Sequence, residues 1–478
     1  MMWRKWLPFA AVLAMRARFF FSPLTTDEGG YLAVARAWFG GADLYGRVWV
    51  DRPQGLLVLY GVLDRVGLGS TFGIRLLAFL ACCVAMVACG HVAWVLAGER
   101  ARVPTMWAVG IGLSLAQIEG FIANAELLSC AVGSVALAAV LLAVWGRESP
   151  DLRLLFLAGV AGGAAVSIKQ SGFDALAAGC AAVVITAVHE KWGPRVFLRA
   201  VLAVAGGLAV PVGAMLAHAG LTGFHDWWFA VAGVRLGHKS ALAAADWHKL
   251  RVTAGIVAPL VAVPFACASV LVVRMVRPRA RAVGVLVVWS AAASVAFLIG
   301  GLFHRHYWVI LMFPFATIVG VTFSSLRSRT ALAFVVCMSL VVPAVATMRA
   351  VRMDDRTVAT ELNDDARLTV NEDVAAWFAT DTPDRGTVWV MCASSALYAL
   401  LDQAPPFQYS WFAYFSAVQE ALPSLYAWLQ GPDAPSHIVA MQSARRCDPS
   451  GRLGEIVTAR YEPVASVDGR RILVRRSA

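Results

Sequence analysis

Polar and apolar positions are distributed very unevenly along this chain. Through its first three quarters, apolar runs of about 17 to 25 residues recur, each long enough to cross the hydrocarbon core of a bilayer. They fall near residues 6–24, 74–97, 104–119, 125–145, 154–169, 173–188, 197–218, 252–273, 283–303, 307–325 and 330–348. The pattern predicts about eleven transmembrane helices, because an open sheet would leave backbone groups unpaired in lipid. The short hairpin near Lys169 stands open between a pair of spans and a re-entrant loop. From Arg349 to Asn371 the chain turns polar, with Asp354, Asp355, Arg356, Asp364 and Asp365, and reads as a linker or an exposed helix. Beyond it the period changes again. Helices are expected at Asn371 to Thr380 and Ala417 to Leu429, and buried strands at Thr387 to Cys392 and Ser436 to Gln442. Final strands at Tyr461 to Val467 and Arg471 to Val474 are joined by Asp468-Gly469, a strong hairpin signal. The reading is a mainly α, polytopic membrane protein: residues 1–349 form the transmembrane domain and residues 350–478 a small extracytoplasmic α/β domain.

Composition changes the picture only by naming the solvent. With 59% hydrophobic residues and a mean hydropathy of +0.67, a chain of 478 residues has too little polar surface to cover a soluble globule. Lipid is the missing solvent. Positive charges set the orientation. Arg4 and Lys5, Arg100 and Arg102, Arg147 and Arg153, Lys191, Arg195 and Arg199, the run Arg274, Arg277, Arg279 and Arg281, and Arg327 with Arg329 occupy loops on alternate sides. Those loops are expected in the cytoplasm of a bacterium. An odd number of spans then puts the N-terminus inside and everything past residue 350 outside. The net charge of +11 is mostly this dressing, and no basic helix or stacking motif accompanies it, so no nucleic-acid partner is expected. Arg4 and Lys5 ahead of an apolar stretch resemble a signal sequence, but Arg16 and Arg18 interrupt it without a small-residue cleavage site, and it reads as a retained first helix. Seven of the nine cysteines lie in apolar spans, with no metal-ligand spacing. Cys392 and Cys447 remain, and an oxidising compartment permits a disulfide between them.

The outward loops carry the chemistry. The first is about fifty residues long, a length usually kept for function. It opens on Thr26-Asp27-Glu28-Gly29-Gly30-Tyr31, two adjacent carboxylates where the first helix leaves the bilayer. Acids at that depth are costly unless something needs them. The alternative is that Asp27 caps a helix beginning near Glu28. Further on, Asp51-Arg52-Pro53-Gln54-Gly55 sets a cation ahead of an interfacial apolar stretch from Leu56 to Leu63. A guanidinium there can fork two hydrogen bonds onto a phosphate, or simply anchor to headgroups.

These residues, in this order, resemble the GT-C membrane glycosyltransferases. The resemblance rests on the outward Asp27-Glu28 pair with Tyr31, the basic-Pro element Arg52-Pro53, and Arg75 opening the second span. It is supported by Asn124-Ala125-Glu126, Lys169-Gln170, Asp226-Trp227-Trp228-Phe229 and His304-Arg305-His306-Tyr307 ahead of Pro314. It covers roughly residues 1–350, and the branch with the protein O-mannosyltransferases and lipid A aminoarabinose transferases fits best. Two departures stand out: Arg52-Pro53-Gln54 replaces the Lys-Pro-Pro of many relatives, and no WWD-type sequon-binding motif is present, so protein N-glycosylation is not expected. The resemblance implies an inverting transferase that moves a sugar from a polyprenyl-phosphate donor to a glycolipid, polysaccharide or protein acceptor. It implies Asp27 as catalytic base, Glu28 beside it to hold the acceptor or support the base, and Arg52, Lys169 and Arg305 on the donor phosphate. Tyr31, Glu126, His304 and His306 are possible acceptor or cavity residues. Glu126 equally well caps its helix, the two histidines are weaker candidates that read first as hydrogen-bonded interfacial groups, and Trp227 and Trp228 read first as an aromatic belt, with sugar stacking as the alternative. Neither a cofactor nor a metal is expected. The competing class is a carrier for lipid-linked sugars, which would favour halves related by repeated hydropathy, and no such repeat is visible.

Overall fold

The computed structural model describes residues 6–234, 246–275, 279–382, 384, 386–392 and 395–476. Helix α1 (Leu7–Arg16) runs into a 3-10 turn and stops before Pro23; a new helix, α2 (Thr26–Phe39), leaves at 73°. The first expected span therefore breaks rather than continues, because Pro23 disfavours helical geometry at Ser22, which is extended, and Thr25 starts a fresh helix. Helix α3 (Gln54–Leu63) follows, then α4 (Thr71–Ala97), α5 (Glu99–Leu113), α6 (Ala125–Val144), α7 (Leu152–Ile168), α8 (Asp174–His189) and α9 (Pro194–Thr222). After these come α10 (Trp247–Met275), α11 (Ala280–Ile299), α12 (Trp308–Phe323) and α13 (Arg329–Val351). Among the described residues seven helices are long and apolar enough to cross a membrane, or eight if α1 and α2 form one broken span. Helices α7 and α8, at the expected hairpin, have 17 and 16 residues.

The expected span at 104–119 ends early. Helix α5 stops at Leu113, and the chain then turns through Glu119, whose φ is +54°. Arg16 accounts for that ending: its guanidinium donates to Ser114 Oγ at 3.1 Å, Leu113 O at 2.8 Å and Gly120 O at 2.7 Å, meeting carbonyls a helix end leaves open. Arg18 is likewise consumed, pairing with Asp355 at 2.6 Å. The two cations that interrupt the first apolar run are thus joints between segments.

The helix ends sort into two groups. At one end, Trp192 Nε1 donates to Arg147 O and Arg281 pairs with Glu190, which joins three of the arginine-bearing loops, while Arg102 lies against His91; Arg4, Lys5 and Arg277 lie outside the described residues. At the other end lie the start of α2, the start of α6, the end of α7 and the start of α12. The remainder of the chain docks there. It comprises α14 (Arg367–Asp381), β1 (Val388–Met391), α15 (Ala396–Leu400), α16 (Ala421–Gln430), β2 (His437–Ala440), α17 (Arg452–Arg460), β3 (Tyr461–Val467) and β4 (Arg470–Arg475). The sheet order is β1-β2-β4-β3; β1 and β2 are parallel, and the other pairs are antiparallel. The β3–β4 hairpin turns on Asp468 and Gly469, both with positive φ, as the primed turn demands. Cys392 and Cys447 form a disulfide with their Cα atoms 5.5 Å apart.

Candidate active site

The site begins at the first turn of α2, where a capping box settles what Asp27 is for. Thr25 is the N-cap: its Oγ1 accepts from Glu28 N, and Glu28 Oε2 accepts in return from Thr25 N at 3.1 Å. Asp27 is therefore not the cap. The residue is half-buried and among the described residues its carboxylate accepts from Trp411 Nε1 at 3.3 Å, within electrostatic reach of Arg52, His306, Glu126 and Asp51.

Arg52 is held from several directions. Tyr45 donates to its backbone carbonyl at 2.8 Å, Pro53 caps α3 behind it, and its Nη1 pairs with Asp51 Oδ1 at 2.7 Å. Its guanidinium stands 5.9 Å from the centroid of the Tyr31 ring. Only 7% of Arg52 is exposed, and its Nε makes no hydrogen bond among the described residues. A buried donor left open in this way has a position for an acceptor oxygen that the protein does not supply.

A second cluster sits beside it. Asn124 caps α6 by accepting from Leu127 N at 2.7 Å, which frees Glu126 from that task. Glu126 instead forms a buried ion pair with Lys169, the residue that ends α7, and lies 4.0 Å from His306 Nε2. The other side of His306 meets Glu119 Oε2 at 2.7 Å, which explains the turn that ends α5: it aims an acid at this imidazole. Tyr307 lies beneath the Lys169 ammonium, 4.7 Å from it. His304 stacks parallel to His306 at 5.5 Å and meets Lys249 Nζ at 2.7 Å through Nδ1. Burial pushes the His304 imidazole well below the ordinary histidine range, and neighbouring His306 and Lys249 push the same way.

Three expected residues are engaged by the protein itself. Glu28 is fully buried, and its carboxylate takes Arg75 Nη1 at 2.7 Å and Ala123 N at 2.8 Å in addition to Thr25, which leaves support of the base rather than holding of the acceptor. It frames the site. Arg305 points away, donating to the carbonyls of Glu361 and Leu362, the latter at 3.0 Å, and ties the start of α12 to the segment after α13. Trp227 is neither a belt nor a stacking platform. It is buried and donates to Gln54 Oε1 at 3.1 Å, whereas Trp228 is about half exposed.

The structure therefore brings together Asp27, Tyr31, Arg52, Glu126, Lys169, His304 and His306. Among the described residues no group of three or more His, Cys, Asp or Glu side chains is disposed to hold a metal ion. An apolar groove of about 440 Å³ between α5, α10, α12 and α13 contains none of these charged groups. Sequence reasoning overlooked Glu119, whose signal was an acid followed by glycine at the end of an apolar run. It also overlooked Trp411 and Tyr414, aromatic residues in a segment that carries no motif.

This architecture is shared with two solved membrane-protein structures. ArnT from Cupriavidus metallidurans, solved bound to undecaprenyl phosphate, superimposes with a TM-score of 0.65 over 99% of this chain and 98% of its own, at 17% identity. The archaeal oligosaccharyltransferase AglB from Archaeoglobus fulgidus, in complex with an inhibitory peptide and a dolichol-phosphate, gives a TM-score of 0.54. That alignment covers 96% of this chain and 72% of AglB at 12% identity. No family model and no curated protein sequence matches the chain.

Proposed function

We propose that this protein is an inverting glycosyltransferase that moves a sugar from a polyprenyl-phosphate donor to a glycolipid or polysaccharide of the cell envelope. The reaction takes place on the outer face of a bacterial plasma membrane. The observation that carries the proposal is the placement of an uncommitted carboxylate, Asp27, within electrostatic reach of a buried guanidinium, Arg52, that keeps an open donor. The likeness to proteins solved with undecaprenyl phosphate and dolichol-phosphate supports a lipid phosphate as the donor's leaving group. An acceptor hydroxyl oxygen attacks the anomeric carbon as the bond from that carbon to the phosphate oxygen breaks. The hydroxyl proton passes to Asp27, and polyprenyl phosphate leaves with its new charge facing Arg52. Attack from the face opposite the leaving group inverts the anomeric centre. Lys169, already neutralised by Glu126, contributes less charge than an unpaired lysine would, and Arg305 contributes none. Tyr31, Glu126, His304 and His306, gathered near Asp27 and Arg52, are the side chains assigned to the acceptor.

Labelled sugars on polyprenyl phosphates, offered as a panel to the protein in liposomes, test the reading; a carrier would scramble the lipid without transfer. Arg52→Ala is expected to weaken donor use more than Arg52→Lys, since lysine keeps the charge and loses the fork. Wild-type transfer by both variants would reduce Arg52 to an anchor.

Orientation has its own test. The arginine-rich end is placed in the cytoplasm and the site outside, where a disulfide between Cys392 and Cys447 would persist. Alkaline phosphatase fused after Ala478 is expected to be active and a fluorescent protein there to be dark; the reverse would put the site on the cytoplasmic face.

A further inference from the structure

The segment that docks on the site also enters it. Tyr414 donates its hydroxyl proton to Asp51 Oδ1 at 3.1 Å, and the Tyr414 hydroxyl oxygen accepts from Asp51 N at 3.3 Å. That carboxylate oxygen is the one paired with Arg52 Nη1. One turn earlier, Trp411 holds Asp27. The turn is seated firmly: the Tyr414 ring packs edge-on against Trp49 with centroids 4.5 Å apart, and Trp49 N donates to Gln408 O at 3.2 Å. Gly29 and Gly30 of α2 make the approach possible. A Cβ on Gly30 would collide with the Trp411 ring and Ser395 Oγ, and one on Gly29 with the backbone of Ala396. The glycine pair after the two acids is thus the seat for this segment.

We infer that Tyr414 is a positioning residue for donor binding: it shares the charge of Asp51, so that the Arg52 guanidinium stays available to a lipid phosphate. The physical ground is competition. A half-buried carboxylate bound to one guanidinium competes with any ligand for it, and less so when another donor takes part of its hydrogen-bonding capacity. Tyr414 is placed to be that donor, and it reaches the pair from 363 residues away in the chain. The inference rests on the proposed donor reading.

The test measures binding of undecaprenyl phosphate to the purified full chain in nanodiscs. Tyr414→Phe keeps the ring against Trp49 and removes only the hydroxyl. It is expected to weaken binding by about tenfold, the scale of one hydrogen bond near a charge. In an Asp51→Asn background, where the competing charge is gone, the same substitution should change affinity by less than about twofold. A purely structural tyrosine would cost the same in both backgrounds, and that result overturns the inference. So does wild-type affinity for Tyr414→Phe when Arg52→Ala binds weakly. If Arg52→Ala binds as well as wild type, the donor reading itself falls, and the role of Tyr414 with it.

Discussion

Replacing Asp27 by asparagine is expected to leave a folded, inserted protein whose transfer rate is lower by two or more orders of magnitude, roughly the cost of losing a general base. The substitution is clean because Thr25, not residue 27, caps α2. Asparagine keeps the size of the side chain and an oxygen for the Trp411 Nε1 hydrogen. What it loses is the ability to take a proton from an attacking hydroxyl. The measurement is the rate of the purified variant in liposomes at saturating donor. A rate within a few-fold of wild type would remove Asp27 from the mechanism.

The neighbouring acid should behave in the opposite way. Glu28→Ala is expected to cost about 3–5 kcal/mol of stability, because it strands a buried guanidinium. Arg75 is 2% exposed, and among the described residues it would keep its bond to Pro23 O at 3.0 Å and its place 5.0 Å from the centroid of the Phe121 ring, but no counter-charge. The backbone N–H groups of Thr25 and Ala123 would lose their acceptor as well. A loss of that size is a large part of the stability of an ordinary fold. Thermal unfolding in detergent should show it as a sharply lowered midpoint or as protein that cannot be recovered. Glu28→Gln keeps the volume and some of the accepting oxygen, so its loss should be milder. Replacing Glu28 and Arg75 together by leucine should restore much of the stability, since no charge is then stranded. If Glu28→Ala unfolds at the wild-type temperature but transfers no sugar, Glu28 touches substrate after all and the framing role is wrong.

The contrast between two adjacent carboxylates measures what could be read in advance. Thr25 and Glu28 have the spacing of a capping box, and that spacing alone argues that Thr25 rather than Asp27 begins the helix. Which acid stays available was therefore partly legible. The partner of Glu28 was not, because Arg75 lies 47 positions away and nothing local selects it. Arg305 and Lys169 illustrate the same gap. Both are cations at the ends of apolar runs on the same side, and the chain gives no sign that one pairs beside the site while the other ties down a distant loop.

The sequence by itself determined the solvent, the shared end of the arginine-bearing loops near residues 147, 190 and 281, the β3–β4 hairpin and the gathering of the unusual polar residues at the opposite end. Each of these follows from quantities that run along the chain: the length of an apolar run, the alternation of charge between loops, the turn chemistry of two residues. Only the tertiary structure decided that Glu28 is consumed, that Arg305 turns away, that Trp227 is buried, and that Trp411 and Tyr414 reach Asp27 and Asp51 from 384 and 363 residues away. The reason is that a buried charge or polar group must find a partner in space. Which partner it finds depends on the direction of the side chain and the packing of distant segments, and no periodicity along the chain encodes either.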